Sequence, residues 1–298
     1  MPIRSYGPFT AFKMRTEDFK DFETRLSTIN KLFSHSLFLS EQFLIDNSEI
    51  IRNYPETLSG DIYAYNVHSK NFNYKLRHVP NVINEFQSLS FISFYIFIYS
   101  TFESYVESLY QLVRAIRPKE RWVRPEDTPT LDVIFLYLDS GIASHLGSKE
   151  RDTLKYIRLR RNCLVHADGK PSSRLSDLIG TKGRTLNEFW RGLIPRLSTI
   201  DFSSGEINQF RPREIIDIIL ILRTIAKRID QEVLTLLKKE AILEFILSDF
   251  KVTFAKEIKG NSRDRVENMF AAVAKRKFNV EKKDIDFKEY FKTLPLGG

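Results

Sequence analysis

The residues of this chain that could do chemistry together are gathered in one stretch, RLRRNCLVHADGK, from Arg158 to Lys170. Arg158, Asn162 and His166 are four apart, so a helix would stack them along one face. Arg161 would sit beside that row, with a side chain long enough to reach it. An imidazole can take a proton from one oxygen and give one to another. An arginine fork nearby can hold a phosphate and balance charge as the phosphorus becomes pentacoordinate. Together these groups suit metal-independent cleavage of RNA, with the ribose 2′-hydroxyl as nucleophile, a chemistry that would spare DNA.

Spacing alone leaves a second reading open. A chain with five histidines and this many arginines contains about one Arg-x(4–6)-His match by chance. A solvated basic helix end closed by a capping His would look the same. The other candidates are weaker. His35, His68, His78 and His145 fall on different elements without paired spacing, so no metal site and no cofactor are expected. Cys163, the single cysteine, reads as a buried structural thiol, and a lone cysteine excludes a disulfide framework and a Cys-rich zinc site. Asp168 reads as solvated. GTKGR, Gly180 to Arg184, lacks the strand and the Lys-Ser/Thr ending of a phosphate loop and reads as a flexible turn. Trp122 and Trp190 could stack on bases, but packing is the default role of Trp. The KRK run at Lys275–Lys277 reads as a solvated face.

The elements that must position the stretch are helical. Phe19, Phe22, Leu26, Ile29 and Phe33 mark an amphipathic helix, or two with a break, between Thr16 and Tyr54. Residues 55–76 read as an irregular connection. A second long helix is expected from about Pro80 to Arg117. There Phe86, Leu89, Ser93, Phe97, Ser100, Ser104 and Ser108 recur at helical spacing, and the small serines point to a close helix–helix contact. LDVIFLYLDSGI reads as a short helix. Ser148 is expected to cap the helix that carries Arg158 to His166, and Gly169 to stop it. Residues 170–210 read as a loop, a short helix around TLNEFWRGL, and a small hairpin in TIDFSSGEINQF. Ile215, Ile218, Ile219, Leu222, Ile225, Ile229 and Val233 stripe a last long helix from Pro212 to about Lys239. From Ala241 onward, short apolar clusters between basic stretches read as an appended helical region.

Composition agrees. The 298 residues are 42% hydrophobic, long enough for a full core, with few Gly and Pro. The formal charge of +8 suits a polyanion partner such as RNA. The most apolar run, Leu89–Phe102, is shorter than a bilayer span and runs into Glu103, and the N-terminal residues lack a secretory pattern. A soluble cytoplasmic protein without membrane contact is expected.

With those residues in view, RNCLVHADG resembles the signature of the HEPN superfamily: Arg-Asn, three residues, then His at a helix end. FIYSTFESYVESLYQLV, Phe97 to Val113, is similar to the first core helix of many prokaryotic HEPN nucleases, where an aromatic–Glu pair precedes another aromatic. IDFSSGEINQF leading into a long apolar helix is similar to the segment after the motif in several such families. The resemblance covers roughly residues 78–237. It implies an all-α antiparallel bundle that forms a homodimer, with the two motif helices facing each other across a two-fold and completing a composite site. It implies endoribonuclease activity in a toxin or phage-defence role, with an antitoxin or defence-system partner. Carried onto this chain, His166 is the acid/base, Arg161 the phosphate and transition-state clamp, Asn162 an orienting group and Glu103 a supporting polar residue. The stacking argument adds Arg158, with Lys170, for substrate binding. Some HEPN proteins have lost activity and serve as helical modules that bind RNA or a protein. The expected division is an N-terminal helical extension over 1–77, a HEPN-like bundle over 78–240 and an appended helical region over 241–298.

Overall fold

The computed structural model describes residues 14–69, 71, 73–166 and 170–291. The protein is all-helical. Among the described residues there is no β-strand, only one isolated antiparallel bridge between Leu58 and Lys75. The helices are α1 (Glu17–Asp46), α2 (Ser48–Asn53), α3 (Ser59–Ile62), α4 (Val79–Ile116), α5 (Thr130–Tyr137), α6 (Ile142–His145), α7 (Ser148–His166), α8 (Ser173–Leu193), α9 (Pro212–Leu237), α10 (Lys239–Thr253), α11 (Ala255–Gly260), α12 (Arg263–Phe278) and α13 (Phe287–Tyr290).

The chain packs as two compact units. One comprises residues 1–24, 102–150 and 222–298; the other comprises 25–101 and 151–221. The expected division into 1–77, 78–240 and 241–298 runs consecutively along the chain. The packing division does not, because α1, α4, α7 and α9 each contribute residues to both units.

In the first unit Thr16 starts α1: its hydroxyl accepts from the Phe19 amide at 3.0 Å and donates to Asp230 at 2.5 Å. Phe22 stacks on Tyr105 at 5.0 Å and meets Phe102 edge-on at 6.0 Å. The C-terminal helices bury their own aromatic cluster, with Phe270 edge-on to Phe250 and Phe291 at 5.4 and 5.5 Å. Each such side chain taken out of water contributes about 1.5–3 kcal/mol. Each residue of the KRK run stands in an ion pair, Lys275 with Glu281 at 3.4 Å, Arg276 with Glu17 at 3.7 Å and Lys277 with Asp249 at 2.7 Å, while Lys275 and Arg276 stay exposed.

In the second unit Phe33 of α1 meets Phe91 and Phe94 of α4 edge-on at 5.6 and 5.2 Å. The buried face of α4 carries Phe91, Tyr95, Ile98 and Tyr99. The row expected to make a helix contact lies on the other side. Phe86, Leu89 and Phe97 are 56%, 66% and 56% exposed, and Ser93 is exposed with them. Both faces of α4 are apolar, so hydropathy alone could not choose between them; the bulkier, more continuous aromatic face won the core.

Two further expectations are corrected. GTKGR is not a turn: residues 173–193 form one continuous helix, α8, with Leu175, Leu178, Leu186 and Trp190 on its buried side. Gly183 stands where a Cβ would meet the Phe202 carbonyl oxygen at 2.6 Å and Ser203 Cα at 2.7 Å, so this glycine allows close approach of the backbone rather than breaking the helix. Residues 199–210 form no hairpin. They are an irregular segment held by side chains: the Asp217 carboxylate accepts from the amides of Ser198, Thr199 and Ile200 at 3.3, 2.9 and 3.0 Å, and Asn187 donates to Asp201 at 2.7 Å while accepting from Phe202 N at 2.9 Å.

The apolar run of α4 lies within a continuous helical stretch, Leu76–Ile116, that by length and composition alone could cross a bilayer; 22% of its most apolar window is buried. The same helix supplies core residues to both units.

Candidate functional site

Helix α7 starts one residue earlier than a Ser148 cap would place it. Gly147 precedes the first turn, and its amide donates to the Glu150 carboxylate at 2.7 Å. This is the reaching-back half of a capping box. The helix then divides its residues by side. Tyr156, Ile157, Arg160 and Cys163 are buried; Arg158 is half-buried, and Asn162 and His166 are exposed. The predicted row at four-residue spacing therefore exists and faces outward.

Arg161 is half-buried beside the row, and its guanidinium donates to the Asn162 carbonyl oxygen at 3.0 Å. His166 is the last residue of α7. The expected stop at Gly169 and the solvated Asp168 lie outside the described residues. Lys170 is exposed. Glu103 is also exposed, on the part of α4 that belongs to the first unit, whereas Arg158, Arg161, Asn162, His166 and Lys170 belong to the second.

Cys163 is buried, and its Sγ accepts from the Ser172 amide at 3.3 Å. Ser172 caps α8, its hydroxyl accepting from Leu175 N at 3.3 Å. This thiol contact brings the start of α8 to the last turn of α7, and with it the exposed cations Lys170 and Arg174. On α7 itself Lys155, three residues before half-buried Arg158, is exposed. Arg174 escaped the sequence reading because it stands on the next helix, where no spacing rule links it to the motif.

The third arginine of the run has a different role. Arg160 is 2% exposed. It donates from Nε to the Ile207 carbonyl at 2.7 Å and pairs through Nη1 with Glu214 at the start of α9. Its guanidinium lies over the rings of Phe210 at 4.1 Å and Tyr95 at 5.2 Å. Burial works against its charge, but Tyr156, Glu214 and Tyr95 outweigh burial and hold its pKa above the usual guanidinium value. Burial likewise pushes the Tyr95 phenol well up, against the pull of the Arg160 cation. Arg160 thus ties α7, the irregular segment and α9 together and keeps the helix face beside it in one orientation. Its place was readable in principle: Tyr156, Arg160 and Cys163 share the buried side at helical spacing.

Trp190 is a core residue, its indole N–H donating to Thr153 on α7 at 2.7 Å. Trp122 packs edge-on against Tyr137 at 4.9 Å. Among the described residues no group of three or more His, Cys, Asp or Glu is placed to hold a metal ion.

No family model, curated protein or solved structure significantly matches this chain.

Proposed function

We propose that the protein is a metal-independent endoribonuclease of the HEPN type, a helical bundle that cleaves RNA through the ribose 2′-hydroxyl. The observation that carries this reading is the exposed row on α7 that ends in His166, with half-buried Arg161 beside it donating to the Asn162 side-chain oxygen. His166 would take the 2′-hydroxyl proton as the oxygen attacks phosphorus, and the 5′-oxygen of the next nucleotide would leave. Arg161 would offset the charge that builds on the equatorial oxygens, with Arg158 and Lys170 on flanking phosphates. Cleavage needs one proton removed and one delivered, and each chain offers one such imidazole. A homodimer that sets two α7 ends face to face would supply both and make the site composite. A toxin or phage-defence role, restrained by an antitoxin or a defence partner, goes with the resemblance to HEPN nucleases.

Incubating the purified chain with total RNA in EDTA tests this. Cleavage is expected to persist without divalent cations. His166→Ala should slow it by about 10²–10⁴, and Arg161→Ala by about 10²–10³. RNA that stays intact across a range of pH, or variants that cut as fast as the wild type, would overturn the reading.

A second reading is a helical module that binds RNA or a protein without cutting. The exposed Phe86, Leu89 and Phe97 of α4 favour it, since an uncovered apolar row is a protein-contact surface. Filter binding that is unchanged in His166→Ala, with no cleavage by either protein, would select it.

A further inference from the structure

The first unit contains a hydrogen-bonded chain that plays no part in RNA cleavage. His145 ends α6, and its Nδ1 lies 2.8 Å from Glu232 Oε2 on α9, while Nε2 meets the Ser140 hydroxyl. Chemistry fixes the direction. An ionised carboxylate only accepts, so Nδ1 carries the hydrogen and donates to Glu232. The neutral ring then offers a lone pair on Nε2, and the Ser140 O–H donates to it.

Each member is held in place. The imidazole stacks on fully buried Phe135 at 5.2 Å with the rings 10° apart. Arg228, one turn before Glu232 on α9, grips both Glu150 oxygens at 2.7 and 2.8 Å, and Glu150 in turn holds the Gly147 amide. The segment carrying His145 is therefore clamped at two points. Ser140 follows the capped end of α5: Asp139 takes the left-handed position at φ +57°, its amide donates to Leu136 O at 3.1 Å and the Ser140 amide donates to Phe135 O at 2.8 Å, which fixes the backbone that carries the hydroxyl. The site is reachable. His145 is 15% exposed and Glu232 34%, and space is open beside Gly141, where a Cβ would meet nothing within 4 Å.

We propose that Ser140, His145 and Glu232 form a nucleophilic site that takes the acyl group of a small activated ester with a short apolar acyl chain. Ser140 Oγ attacks the carbonyl carbon while its proton passes to His145 Nε2. The tetrahedral carbon collapses, the C–O bond to the alcohol breaks, and the proton moves from Nε2 to the departing oxygen. Water, deprotonated by the same nitrogen, then releases the carboxylic acid and regenerates Ser140. Glu232 is a positioning residue that fixes the tautomer and stabilises the imidazolium. The Asp139 carboxylate next to Ser140 is paired with Lys119 Nζ at 2.8 Å, and half-exposed Leu136, one turn earlier, offers an apolar surface to a short acyl chain. The acyl site stands independently of RNA cleavage.

The test uses the full chain, a neutral fluorophosphonate probe and p-nitrophenyl acetate, with the modified residue mapped by mass spectrometry. Ser140 is expected to be the principal site, and Ser140→Ala to abolish labelling there and the release of nitrophenol. His145→Ala should slow acylation by at least about 10², with part of the rate restored by added imidazole, an effect that loss of a structural staple would not give. Glu232→Gln should slow it about tenfold or more, and Glu232→Asp should recover part of the loss. Label spread over other hydroxyls of the wild-type chain, or a His145→Ala chain acylated as fast as wild type, overturns the proposal and leaves a structural staple. Should the His145 variant not fold, mapping on the wild-type chain decides alone.

Discussion

Three neighbouring positions, 160, 161 and 162, show how one turn of helix sends similar side chains to different work. Arg161 and Asn162 pair at the surface, while Arg160 is enclosed by Glu214, Ile207 and two rings. Removing one partner of a buried ion pair strands the other charge, a loss of about 3–5 kcal/mol. Glu214→Gln and Arg160→Met are therefore each expected to lower the denaturant midpoint strongly. The double variant Arg160→Met, Glu214→Leu should be less damaged than the sum of the singles, measured by urea unfolding. The outward placement of Arg158, Asn162 and His166 could be read from the sequence because a period of 3.6 fixes which residues share a side. The burial of Arg160 could not be read as easily, because a guanidinium goes inside only where a carboxylate and rings from distant segments receive it. The same holds for Ser140, His145 and Glu232: His145 and Glu232 are 87 positions apart, so no spacing rule finds them.

At the level of elements, glycine illustrates what local rules miss. GTKGR reads as a turn because Gly weakens a helix interior, yet α8 runs through it and needs Gly183 for its approach to Phe202 and Ser203. Gly183→Ala would push backbone against backbone, and a loss of about 1–3 kcal/mol is expected. Gly180, in the same helix, has nothing within 4 Å of a new Cβ, so Gly180→Ala should stabilise by about 0.4–1 kcal/mol. Thermal melts of the two variants should move in opposite directions. The one-sided stripe of α9 made it legible nearly to both ends, and the start of α7 was legible to within one residue. α4 was legible as a helix but not in its facing, since both its sides are apolar.

Across the whole molecule, acid and base act through Asp230. It is almost fully buried, and that burial raises its pKa from the ordinary carboxylate value to about 7, against the pull of hydrogen bonds from the Thr16 amide and hydroxyl. The native state therefore binds this proton more tightly than the unfolded chain does. The resulting stability is full below about pH 4, where the unfolded carboxyl is also protonated, and is lost as pH rises towards 7. Asp230→Asn keeps an oxygen for Thr16 without the ionisation. Urea titrations at pH 5 and 7.5 should show wild type losing stability relative to this variant, by on the order of a few kcal/mol.

The sulfur beneath the basic row has a practical consequence. One thiol per chain, shielded under the last turn of α7 and hydrogen-bonded to the first residues of the next helix, can be alkylated only during moments when that corner lifts. The rate at which iodoacetamide consumes it is thus a clock for breathing at the candidate site. A polyanion settling on the surface above should slow that clock.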